Sequence, residues 1–253
     1  VLGRSTKIMI STYYYGTTIY EGINKLNNEP VAIKVFSGQY IKKNLDLLIN
    51  IREEIEYMKK CNHKYIAKLV GYAIDQAKGA CDVWIISELA KSGNLQQKLD
   101  DTGILLTDDQ KTIYALKTAQ AMNYLHENKI LHLDVKPSHF FLNGDDPKLV
   151  DFSSACSDIK GVTNHDSKSD VFAYCMMLMD MYKGSENPFR NVKKEELDES
   201  IKNYMEIQFQ KMITNSIKQT TLQLKIVNLC QLLTTTRSSF CQILVYVSIQ
   251  LKA

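Results

Sequence analysis

An α+β fold, with strands gathered in the first part of the chain and helices in the second, is predicted by three features of the sequence. Short β-branched and aromatic runs separated by polar turns fill the first forty residues. A helical repeat of apolar residues then occupies 44–60. Beyond two further strand-like runs, the apolar spacing is helical for the rest of the chain.

Taken in order, strands are expected over 7–12, 18–22 and 30–36, with the Asn-rich stretch 24–28 as a turn, so a hairpin meander is the simplest assembly. Leu45, Leu48, Ile49, Ile55 and Met58 recur at helical spacing with charges between them, which predicts one amphipathic helix over 44–60. Strands over 67–74 and 83–87 come next. Thr107 then opens a helix: its hydroxyl can accept from the backbone N–H of Gln110, whose side chain can return the bond as a capping box. The apolar face of that helix is expected to run through Ile113, Leu116, Ala119 and Leu125. No internal repeat, low-complexity block or Pro/Gly linker interrupts the chain, and a boundary between lobes is best placed near 88–93.

Composition narrows the classes. The 253 residues suffice for one large domain or two small lobes around a shared cleft. With 45% apolar and 23% charged residues the chain is an ordinary globular one, which argues against disorder. A net charge of +3, carried by scattered lysines, speaks against a nucleic-acid partner. Six cysteines stand far apart without a C-x-x-C pair, so neither a zinc site nor a disulfide framework is indicated and reduced thiols are expected. The longest apolar run, 171–179, falls well short of the ~20 residues that span a bilayer, and Asp180 ends it. The chain begins at Val1 without a methionine, which leaves an upstream segment open.

The candidate chemistry lies in a few places. Val31-Ala32-Ile33-Lys34 ends a predicted strand on a lysine, and Glu54 stands on the helix that follows. His132-Leu133-Asp134 is followed by Lys136 and His139, then by Asp151-Phe152-Ser153 and by Lys168-Ser169-Asp170. A strand lysine and a helix glutamate are ordinarily solvated surface when they stand alone; their occurrence in this order is what makes them informative. Together the segments resemble the protein kinase domain, whose strand lysine grips the nucleotide phosphates and pairs with a helix glutamate, and whose catalytic loop reads H-R-D-L-x-x-x-N before D-F-G.

The resemblance implies a bilobal fold in a single domain, 1–253. Its N-lobe, an antiparallel sheet plus one helix, would occupy about 1–88, a hinge about 88–93, and a mainly helical C-lobe about 94–253. It places Lys34, Glu54, Asp151, Gly16 and Glu88 around a nucleotide, Gly16 as the sole glycine of the phosphate-facing loop 11–17 and Glu88 in the hinge Ser87-Glu88-Leu89. Asp134 and Lys136 take the residual catalytic positions, and Asp170 supports the catalytic loop. Asn187-Pro188-Phe189 would form the turn after the central helix, and Thr236-Arg237-Ser238-Ser239-Phe240 the Arg-Pro-x-Phe segment.

Departures fall on the parts that do chemistry. Three tyrosines, Tyr13, Tyr14 and Tyr15, crowd the loop where glycines should let backbone N–H groups reach the phosphates. Leu133 replaces the Arg, Ser153 replaces the Gly, and His139 replaces the Asn that gives magnesium an oxygen ligand. Imidazole suits zinc or copper better than magnesium, so His139 is expected to bond neighbouring backbone and hold no metal. Only eighteen residues lie between Asp151 and Asp170, and no Ala-Pro-Glu occurs among them, so the substrate-docking segment is expected to be lost. Arg237, without that Glu as partner, should be solvated or paired elsewhere.

The segments 30–36, 54–60 and 71–76 are similar to the pseudokinase domain of mixed lineage kinase domain-like protein, and the short segment after Asp151 with the Ile/Lys/Asn-rich composition is most like its poxviral homologues. This resemblance implies a catalytically inactive pseudokinase in the host cell cytoplasm that binds a host receptor-interacting protein kinase and inhibits necroptosis. No membrane, nucleic acid, metal or cofactor is expected, with weak ATP binding left open. The rival readings are an active or weakly active serine/threonine kinase with Asp134 as base, and a nucleotide-sensing scaffold. On the chief reading His132 and Asp134 form a hub bonded to backbone and to Asp170, and Lys34 pairs with either Glu54 or Asp151.

Overall fold

The computed structural model describes residues 2–3, 9–13, 16–76, 81–101, 106–157 and 167–183. Its first part is one six-stranded sheet of β1 (Leu2–Gly3), β2 (Met9–Tyr13), β3 (Thr17–Asn24), β4 (Glu29–Phe36), β5 (Leu69–Asp75) and β6 (Asp82–Glu88). The order is β1-β3-β4-β6-β5, with β2 also pairing β3, and every pairing is antiparallel. The β3–β4 hairpin turns where the asparagines predicted. Asn28 donates its N–H to the Asn24 carbonyl at 2.8 Å and carries a φ of 56°, a left-handed conformation that Asn adopts more readily than most residues.

Two helices, not one, follow β4. A short α1 (Gly38–Lys43) precedes α2 (Asp46–Lys60). Helix α2 buries Ile51, Glu54, Ile55 and Met58, whereas Leu45, Leu48 and Ile49 are exposed. At 3.6 residues per turn the two apolar groups lie about a third of a turn apart, and only the one facing the sheet is covered.

The second part is helical with small β elements between the helices. It comprises α3 (Leu95–Asp100), α4 (Asp108–Glu127) and α5 (Ser167–Lys183). Thr107 caps α4 through the capping box with Gln110 that the sequence predicts. Its buried side includes Tyr114, Thr118, Met122 and Leu125, while Ile113, expected on that side, is exposed. Four short strands were not foreseen: β7 (Ile130–Leu131), β8 (Phe140–Asn143), β9 (Asp146–Leu149) and β10 (Cys156–Ser157). At two to four residues each they are too short for a period-two pattern to register.

One buried cluster runs from Phe36 and Ile85 on the sheet through Ile55 and Met58 of α2 to Leu125, Leu149, Phe152, Tyr174 and Met177. The two parts are stitched by backbone as well: Ala67 N–H donates to the Leu149 carbonyl and Leu149 N–H to that of Tyr65, both at 2.9 Å. Strands and helices thus share an interior, and β4, β6, the segment after β6, β8 and the residues just after β9 border one cleft. No helix among the described residues is long and apolar enough to cross a membrane. Tyr14 and Tyr15, the segment 158–166, Asn187-Pro188-Phe189 and the stretch around Arg237 lie outside the described residues.

Candidate functional site

The central strand β4 alternates its side chains, so Val31 and Ile33 pack with Ile86 on one face of the sheet while Ala32 and Lys34 face the cleft. Helix α2 packs its Glu54 under the same strand. Lys34 Nζ meets Glu54 Oε1 at 2.7 Å and Oε2 at 3.0 Å, and Asp151 Oδ1 at 2.8 Å. The sequence left Lys34 to choose between Glu54 and Asp151; the structure gives it both.

These three groups set one another's ionisation. Burial pulls the Lys34 ammonium down, but Glu54 and Asp151 outweigh it and hold the lysine protonated well above its ordinary range. Burial pushes Asp151 up, and the Lys34 charge outweighs it, leaving the carboxyl below the usual carboxylate range. Glu54 is deeper. Burial raises it above its ordinary value although Lys34 and the Phe152 N–H both pull it down.

Around this triad lies a cleft of about 690 Å³ of atom-free space, its mouth included. Ile19, Ala32, Ile85, Phe141 and Val150 give it apolar walls, Glu88, Leu89 and Ala90 border it from the connecting segment, and Lys34, Glu54 and Asp151 supply its charge. Apolar walls with a few convergent polar groups are the usual make-up of a small-molecule site. Lys34, Glu54, Asp151 and Glu88 therefore come together as the sequence expects. Gly16 does not line the cleft. It turns the chain into β3 with a φ of 69°, and a Cβ there would stand 2.9 Å from Cβ of Tyr40, so close packing on α1 explains this glycine. Lys148 was missed by sequence reasoning. Its Nζ reaches Glu88 at 2.8 Å, and the signal available was its position in the strand that leads to Asp151.

The loop from His132 to His139 is tied down from within. Asp170 on α5, fully buried, accepts from the His132 N–H at 2.8 Å and the Leu133 N–H at 2.7 Å, and contacts His126 Nε2 at 2.8 Å. His132 contacts the Val150 carbonyl through Nε2 at 3.1 Å and receives the Asp134 N–H at Nδ1. The expected hub therefore exists with one correction: Leu133, not Asp134, is the second residue bonded to Asp170. The Asp134 carboxylate instead holds Lys136 Nζ at 2.8 Å near the surface. His126 was also missed, a histidine in the last turn of α4 whose sequence context shows no sign of its partner.

Left-handed backbone falls on Leu133 (φ 61°) and Asp151 (φ 64°), not on Ser153. The glycine expected after Asp151-Phe152 is not required for the conformation seen here, so Ser153 fits, its N–H directed at Asp151 Oδ1 at 3.4 Å.

His139 donates Nδ1–H to the Asp134 carbonyl at 2.9 Å, as the sequence reading anticipates. Its Nε2 then faces Asp151 Oδ2 at 3.6 Å. The kinase fold implies magnesium here, an ion that wants oxygen ligands in a near-ideal octahedron at about 2.0–2.1 Å. The chain offers one imidazole nitrogen and one carboxylate oxygen, with Asp151 Oδ1 already held by Lys34. These residues do not fit magnesium.

The protein kinase domain model matches residues 15–163, more than half of the chain. A probable receptor-like protein kinase of Arabidopsis thaliana is 31% identical over 194 residues, 65% of this chain and 22% of that protein. The inhibitor of nuclear factor kappa-B kinase subunit epsilon of Mus musculus is 30% identical over 145 residues, 54% of this chain and 20% of that protein. A serine/threonine-protein kinase/receptor of Acanthamoeba polyphaga mimivirus is 33% identical over 144 residues, 56% of this chain and 8% of that protein. The chain thus spans less than a quarter of the length of each of these relatives. With the Lys34–Glu54 pair, the buried loop from His132 and the Asp151-Phe152 segment in their places, the chain belongs to the protein kinase domain family.

Proposed function

We propose that this chain is a pseudokinase: a kinase-fold body that acts by occupying a partner and transfers no phosphate. The observation that carries the reading is His139. Phosphoryl transfer depends on metal ions that bridge the phosphate oxygens and neutralise developing charge. Here the residue that should supply an oxygen supplies a nitrogen whose ring is committed to the Asp134 carbonyl. The missing Ala-Pro-Glu and the eighteen residues between Asp151 and Asp170 support the same reading, since they leave little chain for docking a substrate.

The partner proposed is a host receptor-interacting protein kinase, with inhibition of necroptosis in the host cell cytoplasm as the outcome, on the likeness to poxviral homologues of mixed lineage kinase domain-like protein. An apolar surface is available: Val70, Tyr72 and Ile74 are 46%, 55% and 63% exposed along the edge strand β5. Co-precipitation with the host kinase, run beside a cell-death assay, tests the reading. Binding with protection from death is expected, and Tyr72→Glu should weaken both. Failure to bind, or binding without protection, overturns it.

A second reading, a nucleotide-binding or weakly active serine/threonine kinase, is favoured by the intact Lys34–Glu54 pair and the open cleft, and by relatives whose names are those of kinases. Incubation with labelled ATP and magnesium or manganese separates the two. Incorporation that disappears in Asp134→Asn would establish the enzyme; none is expected.

A further inference from the structure

The misfit to magnesium leaves a defined pair of donors. His139 Nδ1 gives its proton to the Asp134 carbonyl, so in the neutral ring Nε2 is an acceptor. It faces another acceptor, Asp151 Oδ2, at 3.6 Å, too long for a hydrogen bond. The other Asp151 oxygen is occupied by Lys34 at 2.8 Å, and that ion pair fixes the carboxylate's orientation. In the neutral ring these two acceptors, each anchored through its other polar atom, face each other, and a proton on Nε2 or a shared cation would relieve the repulsion.

We infer that His139 Nε2 and Asp151 Oδ2 form a binding site for a divalent cation of the zinc class in place of the magnesium site. Two features point to that class. Imidazole with carboxylate suits zinc, whereas magnesium takes oxygen. The ring N–H donated to a backbone carbonyl is the outer support that metal-binding histidines ordinarily have, since it fixes the tautomer and aims the free nitrogen. At 3.6 Å the two atoms are close enough to share one ion. The protein supplies two ligands, and Asp151 lines the cleft, so water or a cleft-bound anion would complete the coordination.

Zinc binds most nitrogen and oxygen sites more tightly than magnesium does, so dependence on His139 is the test, not the preference alone. The full chain is titrated with Zn2+ and with Mg2+ and its thermal unfolding followed, beside His139→Asn, Asp151→Asn and Cys81→Ser, the last because Cys81 is an exposed thiol. The expected result is Zn2+ stabilisation that survives Cys81→Ser and loses at least about tenfold in apparent affinity in His139→Asn and Asp151→Asn. The Asn variant at 139 should also gain a response to Mg2+. Co2+ added to the unmodified chain should give the intense visible bands of tetrahedral coordination, a reading that needs no variant to fold. Zn2+ shifts unchanged in His139→Asn, or a Co2+ spectrum of octahedral type, would overturn the inference. Partner binding and metal binding are separate properties of the chain. Co-precipitation performed with and without chelator shows which of the two has failed.

Discussion

Two aspartates near His132, Asp170 fully buried and Asp151 half-buried in the cleft wall, are satisfied in different ways. Asp170 accepts from two backbone N–H groups and contacts one histidine, all on elements fixed by the fold. Asp151 rests chiefly on one lysine side chain that it shares with Glu54, with only the Ser153 N–H at 3.4 Å from the backbone. Backbone donors cannot leave without unfolding the loop, whereas a lysine can swing away or exchange one carboxylate for another. The first arrangement therefore builds a rigid body, and the second leaves a cleft whose charges can answer to a ligand.

Asp170→Ala should have the largest effect. It orphans the His132 and Leu133 N–H groups and removes the His126 contact, and should cost about 3 kcal/mol or more in denaturant unfolding. A loss under about 1 kcal/mol would mean the hub is not what holds the loop. Next in size is Lys34→Met, which leaves Glu54 and Asp151 facing each other without a cation, at about 2–4 kcal/mol. Adding Glu54→Gln should recover part of that loss. A double-mutant cycle that proves additive would show the triad is not coupled.

Acid should weaken the molecule in two stages. Burial lowers the proton affinity of His132 and of His139 below the ordinary histidine value. The unfolded chain thus takes up protons that the native one refuses, and stability falls as pH drops below about 6.5. Asp170 is held below the usual carboxylate range by His126 and the His132 and Leu133 amides, against the opposing effect of burial, and Asp151 by Lys34. Their contribution is present above about pH 4 and lost as pH falls through their depressed values. Urea midpoints from pH 8 to pH 3 would trace both stages, and a flat profile between pH 7 and pH 5 would count against a buried neutral His132. The smallest effect expected is that of Thr107→Ala, which removes the α4 cap at a cost of about 1 kcal/mol, while Thr107→Ser should cost almost nothing.

Much of the N-terminal half was legible because its signals are local. Alternation and turn chemistry located β3, β4 and β6 to within a residue or two, and the Thr107–Gln110 box located the start of α4. The face of α2 was less legible, since Leu45, Leu48 and Ile49 have the same spacing as a buried stripe and only the position of the sheet decides which stripe is covered. Short strands such as β7 and β10 exist through their pairing with each other, across a separation no local window sees. In the site, Lys34, Glu54, Asp151 and His139 were found by motif order. Lys148 and His126 were not, because each matters only through a partner distant in sequence: Glu88, sixty residues away, and Asp170, forty-four away.

By itself the sequence determined the class of fold, the membership of each motif and the chemical misfit of His139, because residue type and order are sufficient for those. The tertiary structure decided that Lys34 holds both carboxylates at once, that Leu133 and not Asp134 completes the Asp170 hub, and that His139 turns its free nitrogen toward Asp151. Those outcomes depend on which atom of a side chain faces which, to within a few tenths of an ångström. Such choices are made by packing between distant segments, and no local pattern encodes them.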